Sequence, residues 1–171
     1  MTQVVLKNDF SGAIDIIRAA AVWREENGFH PGRTWNVKDM TPEGLLKMYS
    51  GAKKEDFFVA LIDDKEIFAL ILLDADVKKD WEKFEDGRSH YYLHKFSRKP
   101  ENRKSRHSDD LLKFLQQKTK DDKFASIRID LYQDQLGLVE LYSKNGFKQV
   151  LDKISLGREW VLMEWNNPNL R

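Results

Sequence analysis

Ile129-Asp130-Leu131 runs through a short polar stretch into Leu141-Tyr142-Ser143-Lys144-Asn145-Gly146-Phe147, and the reading of this segment decides the fold. Residues 126–131 alternate cleanly, with Ile127, Ile129 and Leu131 on one face and Arg128 and Asp130 on the other, the period of a β-strand with one half-polar face. Leu138, Leu141 and Tyr142 then share one side of a helix. Asn145-Gly146 can end that helix, because glycine takes the left-handed conformation without steric cost. Phe147 opens the next apolar run, so the segment reads strand, turn, helix, strand.

The same periods can be followed outward in both directions. Upstream, residues 4–6 form a short strand and residues 11–27 carry Ile14, Ile17, Ala21 and Val22 at helical spacing, with Gly28 as the terminating glycine. Thr41-Pro42-Glu43 places a capping hydroxyl, a first-turn proline and an acid ahead of Leu45, Leu46, Met48 and Tyr49, a second helix. Residues 57–62 and 66–73 are β-rich runs around Asp63-Asp64-Lys65, a hairpin with a polar turn. An acidic segment containing Trp81 and Phe84 follows, then a strand over residues 89–96, a basic loop, and a third helix opening near Ser108. Downstream, residues 147–151 and 159–165 supply two closing strands. The order β-α-α-β-β-β-α-β-α-β-β mixes hairpins with helical crossovers, which predicts an α+β fold with a mixed sheet of six or seven strands flanked by about four helices.

Composition narrows the function classes. A chain of 171 residues with 41% hydrophobic and 33% charged residues fits one folded domain spanning residues 1–171. The longest apolar run, residues 67–73, is too short to cross a bilayer, and the start lacks the pattern of a secretory signal, so a cytoplasmic protein without membrane association is expected. The absence of cysteine removes thiolate metal sites and cysteine nucleophiles, and no metal is expected. A net charge of +1 gives no global attraction for nucleic acid. The local basic run over residues 95–106 has only Phe96 and His107 near it as stacking groups, too few for a nucleic-acid platform.

The order of elements resembles the GNAT superfamily of acyl-CoA-dependent N-acyltransferases, and three places carry the resemblance. The first is Ile129-Asp130-Leu131 through Gly146-Phe147, which is similar to that family's fifth strand, its helix with a tyrosine four residues before a Gly-Phe pair, and its sixth strand. The second is Tyr91-Tyr92-Leu93-His94-Lys95-Phe96-Ser97-Arg98-Lys99-Pro100, which resembles the fourth strand and following turn of one GNAT subgroup. The third is Trp23 with Gly28 and Trp35, similar to the tryptophan-bearing first helix and loop of the same subgroup. The likeness covers nearly the whole chain. It implies a sheet splayed between strands four and five, a V-shaped groove there, and acetyl-CoA as cosubstrate.

By that resemblance, the segment Arg103-Lys104-Ser105-Arg106-His107-Ser108 stands where the family has a glycine-rich loop whose backbone N–H groups hold the CoA pyrophosphate. Its first position fits, but Arg106 and Ser108 replace both glycines and restore a Cβ against the phosphate. Arg103, Lys104 and Arg106 offer side-chain cations in exchange, whereas Asp109 and Asp110 would compete with an anion for the helix dipole. The resemblance further implies an oxyanion hole from the backbone of Phe96, Ser97 and Arg98, and Tyr142 as the acid that protonates the thiolate of CoA. Asp134 and Gln135 stand near the family's pantetheine contact. His94 is the candidate base for the amine, a structural core histidine being the other reading. The expected reaction is acetyl transfer to a primary amine of a small-molecule or protein acceptor, with a homodimer left open. The alternative is a GNAT-shaped protein that binds a ligand or partner without catalysis, its loop having lost the glycines.

Overall fold

The structure, a computed structural model, describes residues 2–29, 36–155 and 158–170. Trp35, one of the residues of the family likeness, lies outside the described residues. The elements are β1 (Val4–Asn8), α1 (Phe10–Glu26), α2 (Pro42–Met48), β2 (Phe57–Ile62), β3 (Lys65–Leu73), β4 (His90–Arg98), α3 (Ser108–Asp121), β5 (Ser126–Tyr132), α4 (Leu136–Lys144), β6 (Lys148–Ser155) and β7 (Arg158–Asn166). The seven strands make one sheet in the order β1-β2-β3-β4-β5-β7-β6. It is mixed, because β4 and β5 run parallel while the β1–β2, β2–β3, β5–β7 and β6–β7 pairs are antiparallel. The element order, the mixed sheet and the four α-helices among the described residues agree with the sequence reading.

Contacts gather the chain into two compact units, Met1–Leu72 with Lys95–Ser105, and Leu73–His94 with Arg106–Arg171. In the first, α1 starts where the Asp9 carboxylate accepts the Gly12 N–H at 2.9 Å, and its apolar stripe buries Ala13, Ile14, Ile16, Ile17 and Ala21. Thr41 caps α2 in the same way, accepting the Gly44 N–H at 3.0 Å, with Pro42 in the first turn. The β2–β3 hairpin is tighter than expected: Ile62 pairs with Lys65, so the turn is Asp63-Asp64 alone. Both turn residues have positive φ, 48° and 64°, the pattern of a type I′ turn, in which a short polar side chain tolerates the left-handed region. Phe57, Phe68, Leu70 and Ile71 are fully buried.

In the second unit β5 is central and pairs with β7 over its whole length, from Ser126 with Asn166 to Tyr132 with Trp160. The helix α4 ends as the sequence predicts, at Asn145 and then Gly146 with φ 82°. The half-polar face of β5 is covered as well. Arg128 is only 2% exposed. Its guanidinium donates to Glu164 Oε1 at 2.7 Å, to the Tyr92 hydroxyl at 3.2 Å and to the Phe84 carbonyl at 2.9 Å. Trp81 lies over it, with the Arg128 Cζ 4.9 Å from the ring. The acidic segment is partly responsible, because Asp76 accepts the backbone N–H groups of Asp80 and Trp81 at 3.2 and 2.6 Å and so turns Trp81 into the core.

Candidate active site

The parallel ladder between β4 and β5 covers three residue pairs among the described residues, His90 with Ser126, Tyr91 with Ile127 and Tyr92 with Arg128. Beyond it, β5 continues through residues 129–132 with its recorded ladder partners on β7. A ladder that stops partway along two long strands is what a splay at this position requires. Past that stop, His94, Asp130, Lys78 and Trp160 of the second unit come together. His94, 8% exposed, presents Nδ1 at 3.2 Å from Asp130 Oδ1. The other Asp130 oxygen lies 3.7 Å from Lys78 Nζ. That ammonium also sits 5.6 Å from the ring of Trp160, which Tyr132 packs against at 4.4 Å. Tyr142 is buried on α4, edge-on to Phe147 at 5.2 Å. Burial pushes the Tyr142 phenol above its usual range, and the negative charge of Asp130 adds to the rise.

The sequence reading named His94 and Tyr142 as candidate site residues and did not name Asp130 or Lys78. Asp130 gave one signal, its place on the polar face of an otherwise apolar strand. Lys78 gave none. The approach of Nδ1 to Asp130 Oδ1 is an ion-pair distance without hydrogen-bond geometry.

In the first unit, the backbone proposed as an oxyanion donor follows a local distortion. Lys95 has φ 49° in the middle of β4, a left-handed conformation that a non-glycine residue adopts at a cost. Such a residue re-aims the peptide that follows it. Phe96 stacks on Phe68 at 5.3 Å, and the Ser97 hydroxyl donates to the Lys95 carbonyl at 2.8 Å. Arg98 has a role that the sequence did not disclose. Its Nη1 donates to the carbonyls of Arg103 and Ser105 at 2.6 and 2.8 Å, so the guanidinium ties down the loop from below. Burial lowers its proton affinity from the usual arginine range.

The loop itself is partly self-satisfied. The Arg103 and Ser105 N–H groups donate to the carbonyls of Pro100 and Asn102 at 3.3 and 2.9 Å, which removes two amides from any backbone cradle. Arg103 also lies against Trp23, its Cζ 4.7 Å from the ring, while Lys104 and Arg106 are exposed. The Ser105 hydroxyl is buried with no protein hydrogen-bond partner among the described residues.

At the start of α3, His107 makes no side-chain capping bond and its Nδ1 lies 3.1 Å from Asp110 Oδ2. Asp109 lies in the first turn of α3 as the sequence suggests, and it also has partners on α4. Its carboxylate accepts the Asn145 side-chain N–H at 2.8 Å and pairs with Lys144 at 2.9 Å, and these partners hold it below the usual carboxylate range. Its charge is spent on the end of α4 rather than on repelling an anion at the helix start. Ser108 is buried as the first residue of α3. Gln135 precedes α4, and its side-chain oxygen accepts the Tyr132 N–H at 3.4 Å; Asp134 beside it is exposed.

Sheet order, the crossing helices and the interrupted β4–β5 ladder together define the GNAT fold. Solved structures with this fold match nearly the whole chain. A GNAT-family acetyltransferase from Listeria monocytogenes superposes with a TM-score of 0.70 at 16% identity, over 95% of this chain and 94% of that one. A spermidine N-acetyltransferase chimera of Vibrio cholerae SpeG and hSSAT gives 0.65 at 13% identity, over 98% of both chains. The yncA protein of Salmonella typhimurium, solved with its cofactor acetyl-CoA, gives 0.66 at 11% identity, over 98% and 94%. No family model matches the sequence and no curated protein matches it significantly. Among the described residues no helix is long and apolar enough to cross a membrane, and no group of three or more histidine or acidic side chains is arranged to hold a metal.

Proposed function

We propose that this chain is an N-acetyltransferase, a single-domain cytoplasmic enzyme that moves an acetyl group from acetyl-CoA to a primary amine of a small-molecule or protein acceptor. The observation that carries the reading is the buried pairing of His94 with Asp130 just past the end of the β4–β5 ladder. An alkyl ammonium holds its proton up to about pH 10 and cannot attack a thioester until it loses it. With Asp130 beside it, His94 is the acceptor of that proton, directly or through one water. The deprotonated amine attacks the thioester carbonyl.

Tyr142 then faces the departing thiolate. A phenol raised above its ordinary value keeps its proton at neutral pH and is a weaker acid than a thiol, whose ordinary pKa is about 8.5. Tyr142 therefore stabilises the thiolate as a hydrogen-bond donor, and water delivers the proton. The pyrophosphate of CoA has the start of α3 and the cation of Arg106 as its partners in this reading.

One set of observations favours a second reading, a binding protein without catalysis. The amides of Arg103 and Ser105 are engaged within the loop, and Arg103 is held on Trp23. One assay separates the two: release of free thiol from acetyl-CoA in the presence of a panel of primary amines, beside calorimetric titration with acetyl-CoA and CoA. Amine-dependent thiol release supports the enzyme. Saturable binding with no release under any amine favours the binding protein.

A further inference from the structure

Lys78 brings a primary amine of the chain itself into the cluster. It lies in the segment between β3 and β4, two residues after Asp76. Asp76 fastens that segment by accepting the Asp80 and Trp81 N–H groups, and Trp81 is 2% exposed, so Lys78 is held between two fixed points. Its ammonium meets a carboxylate oxygen of Asp130 at 3.7 Å and the face of Trp160 at 5.6 Å, the two kinds of group that recognise an alkylammonium ion. A separation of 3.7 Å is a contact of charges and is longer than a hydrogen bond. The second oxygen of the same carboxylate is 3.2 Å from His94 Nδ1, so the amine and the base share one anion. For an ordinary surface ion pair this is an odd partner, since the Asp130 side chain is only 6% exposed.

We propose that Lys78 is a self-acetylation site, an internal amine seated in the subsite that recognises the acceptor's ammonium group. The inference rests on the acetyl-transfer reading. The Lys78 ammonium loses one proton to His94 through water, and that proton passes to solvent. The neutral amine bonds to the acetyl carbonyl carbon and the carbon–sulfur bond of acetyl-CoA breaks; the second proton, lost from the nitrogen as the amide forms, reaches the thiolate through water and makes CoA thiol. Acetylation also removes the cation from Asp130, which is then available to the ammonium of an external acceptor.

The test is incubation of the full chain with acetyl-CoA and no other amine, followed by intact mass and peptide mapping over time. The expected result is one acetyl group per chain located at Lys78 ahead of every other lysine, absent in Lys78→Arg and slowed about 10²-fold in His94→Asn. Tyr142→Phe serves as the second slowed variant if His94→Asn melts early. Modification spread over many lysines at a rate unchanged by His94→Asn is chemical acetylation and overturns the proposal. Turnover of added amines with Lys78 unmodified overturns it while leaving the acetyltransferase reading intact. Failure of both transfer and acetyl-CoA binding removes the two together.

Discussion

Tyr142 illustrates how burial changes what a residue can do. A solvent-facing phenol would act as a conventional acid, but enclosure on α4 and the nearby Asp130 charge raise its proton affinity, which makes it a dependable donor and a poor proton releaser. Tyr142→Phe removes one hydrogen atom's worth of donor and almost no packing, since the contact with Phe147 is ring to ring. We expect turnover to fall about 10²-fold with acetyl-CoA affinity little changed, the signature of an interaction made in the transition state. Steady-state thiol release beside calorimetry measures both. Equal turnover in the variant would assign the tyrosine to packing alone. Position 142 was readable from its spacing to Gly146, whereas its electrostatic setting was not, because Asp130 reaches it only once β5 and α4 are folded together.

At the scale of the element, the loop ahead of α3 shows how the missing glycines are compensated. Arg98 on β4 donates two hydrogen bonds to loop carbonyls, the turn uses two of the loop's own amides, and Asp109 is neutralised by Lys144 and Asn145 at the end of α4. Of the loop's cations, Lys104 and Arg106 are exposed, whereas Arg103 lies on Trp23. Affinity for acetyl-CoA should therefore depend on side-chain charge. Removing Lys104 and Arg106 together as alanines should weaken binding by about tenfold or more, as expected for loss of charged hydrogen bonds. Arg106→Gly with Ser108→Gly should instead tighten it by clearing the backbone, with a lower melting temperature because Ser108 opens α3 and glycine is a weak helix former. Calorimetry on the two double variants decides. Unchanged binding in both would mean that the loop is not the pyrophosphate site.

For the whole molecule, pH stability follows from a buried polar network rather than from the surface. His90, 4% exposed, places Nδ1 2.7 Å from the Ser126 hydroxyl and Nε2 2.9 Å from Asp86, and the one Ser126 hydroxyl proton is shared between His90 and Glu164 Oε1 at 2.7 Å, which also holds Arg128. Burial lowers the His90 proton affinity, the hydrogen bond to Asp86 opposes this, and the Arg128 cation adds to the lowering. The folded value therefore lies below the ordinary histidine value of 6.5. The unfolded chain then binds the proton more readily, so the stabilisation is fully present above about pH 6.5 and declines as pH falls through the folded value. Urea unfolding across pH 4.5–7.5, against His90→Gln, checks this. The parent should lose stability toward the acid end more steeply than the variant, and parallel curves would place the acid sensitivity elsewhere.

The sequence by itself determined what depends on neighbours within a few residues. Alternation gave β5, the 3.6-residue stripe gave α1 and α4, Thr41-Pro42 and Asn145-Gly146 set helix ends, and together with the family likeness these yielded the element order and the GNAT fold. His94 and Tyr142 were legible because their spacing to strand and glycine is local. Only the tertiary structure decided the partners of those residues. Asp130 meets Lys78 and His94 from two other segments, and Arg128 finds Glu164 because the β5–β7 register sets them opposite each other. The positive φ of Lys95 and the inward reach of Arg98 likewise carry no mark in composition or period. The physical reason is the same in each case. Backbone periodicity is fixed by short-range sterics and solvent preference, whereas a buried charge is stable only beside partners brought to it by strand register and helix packing.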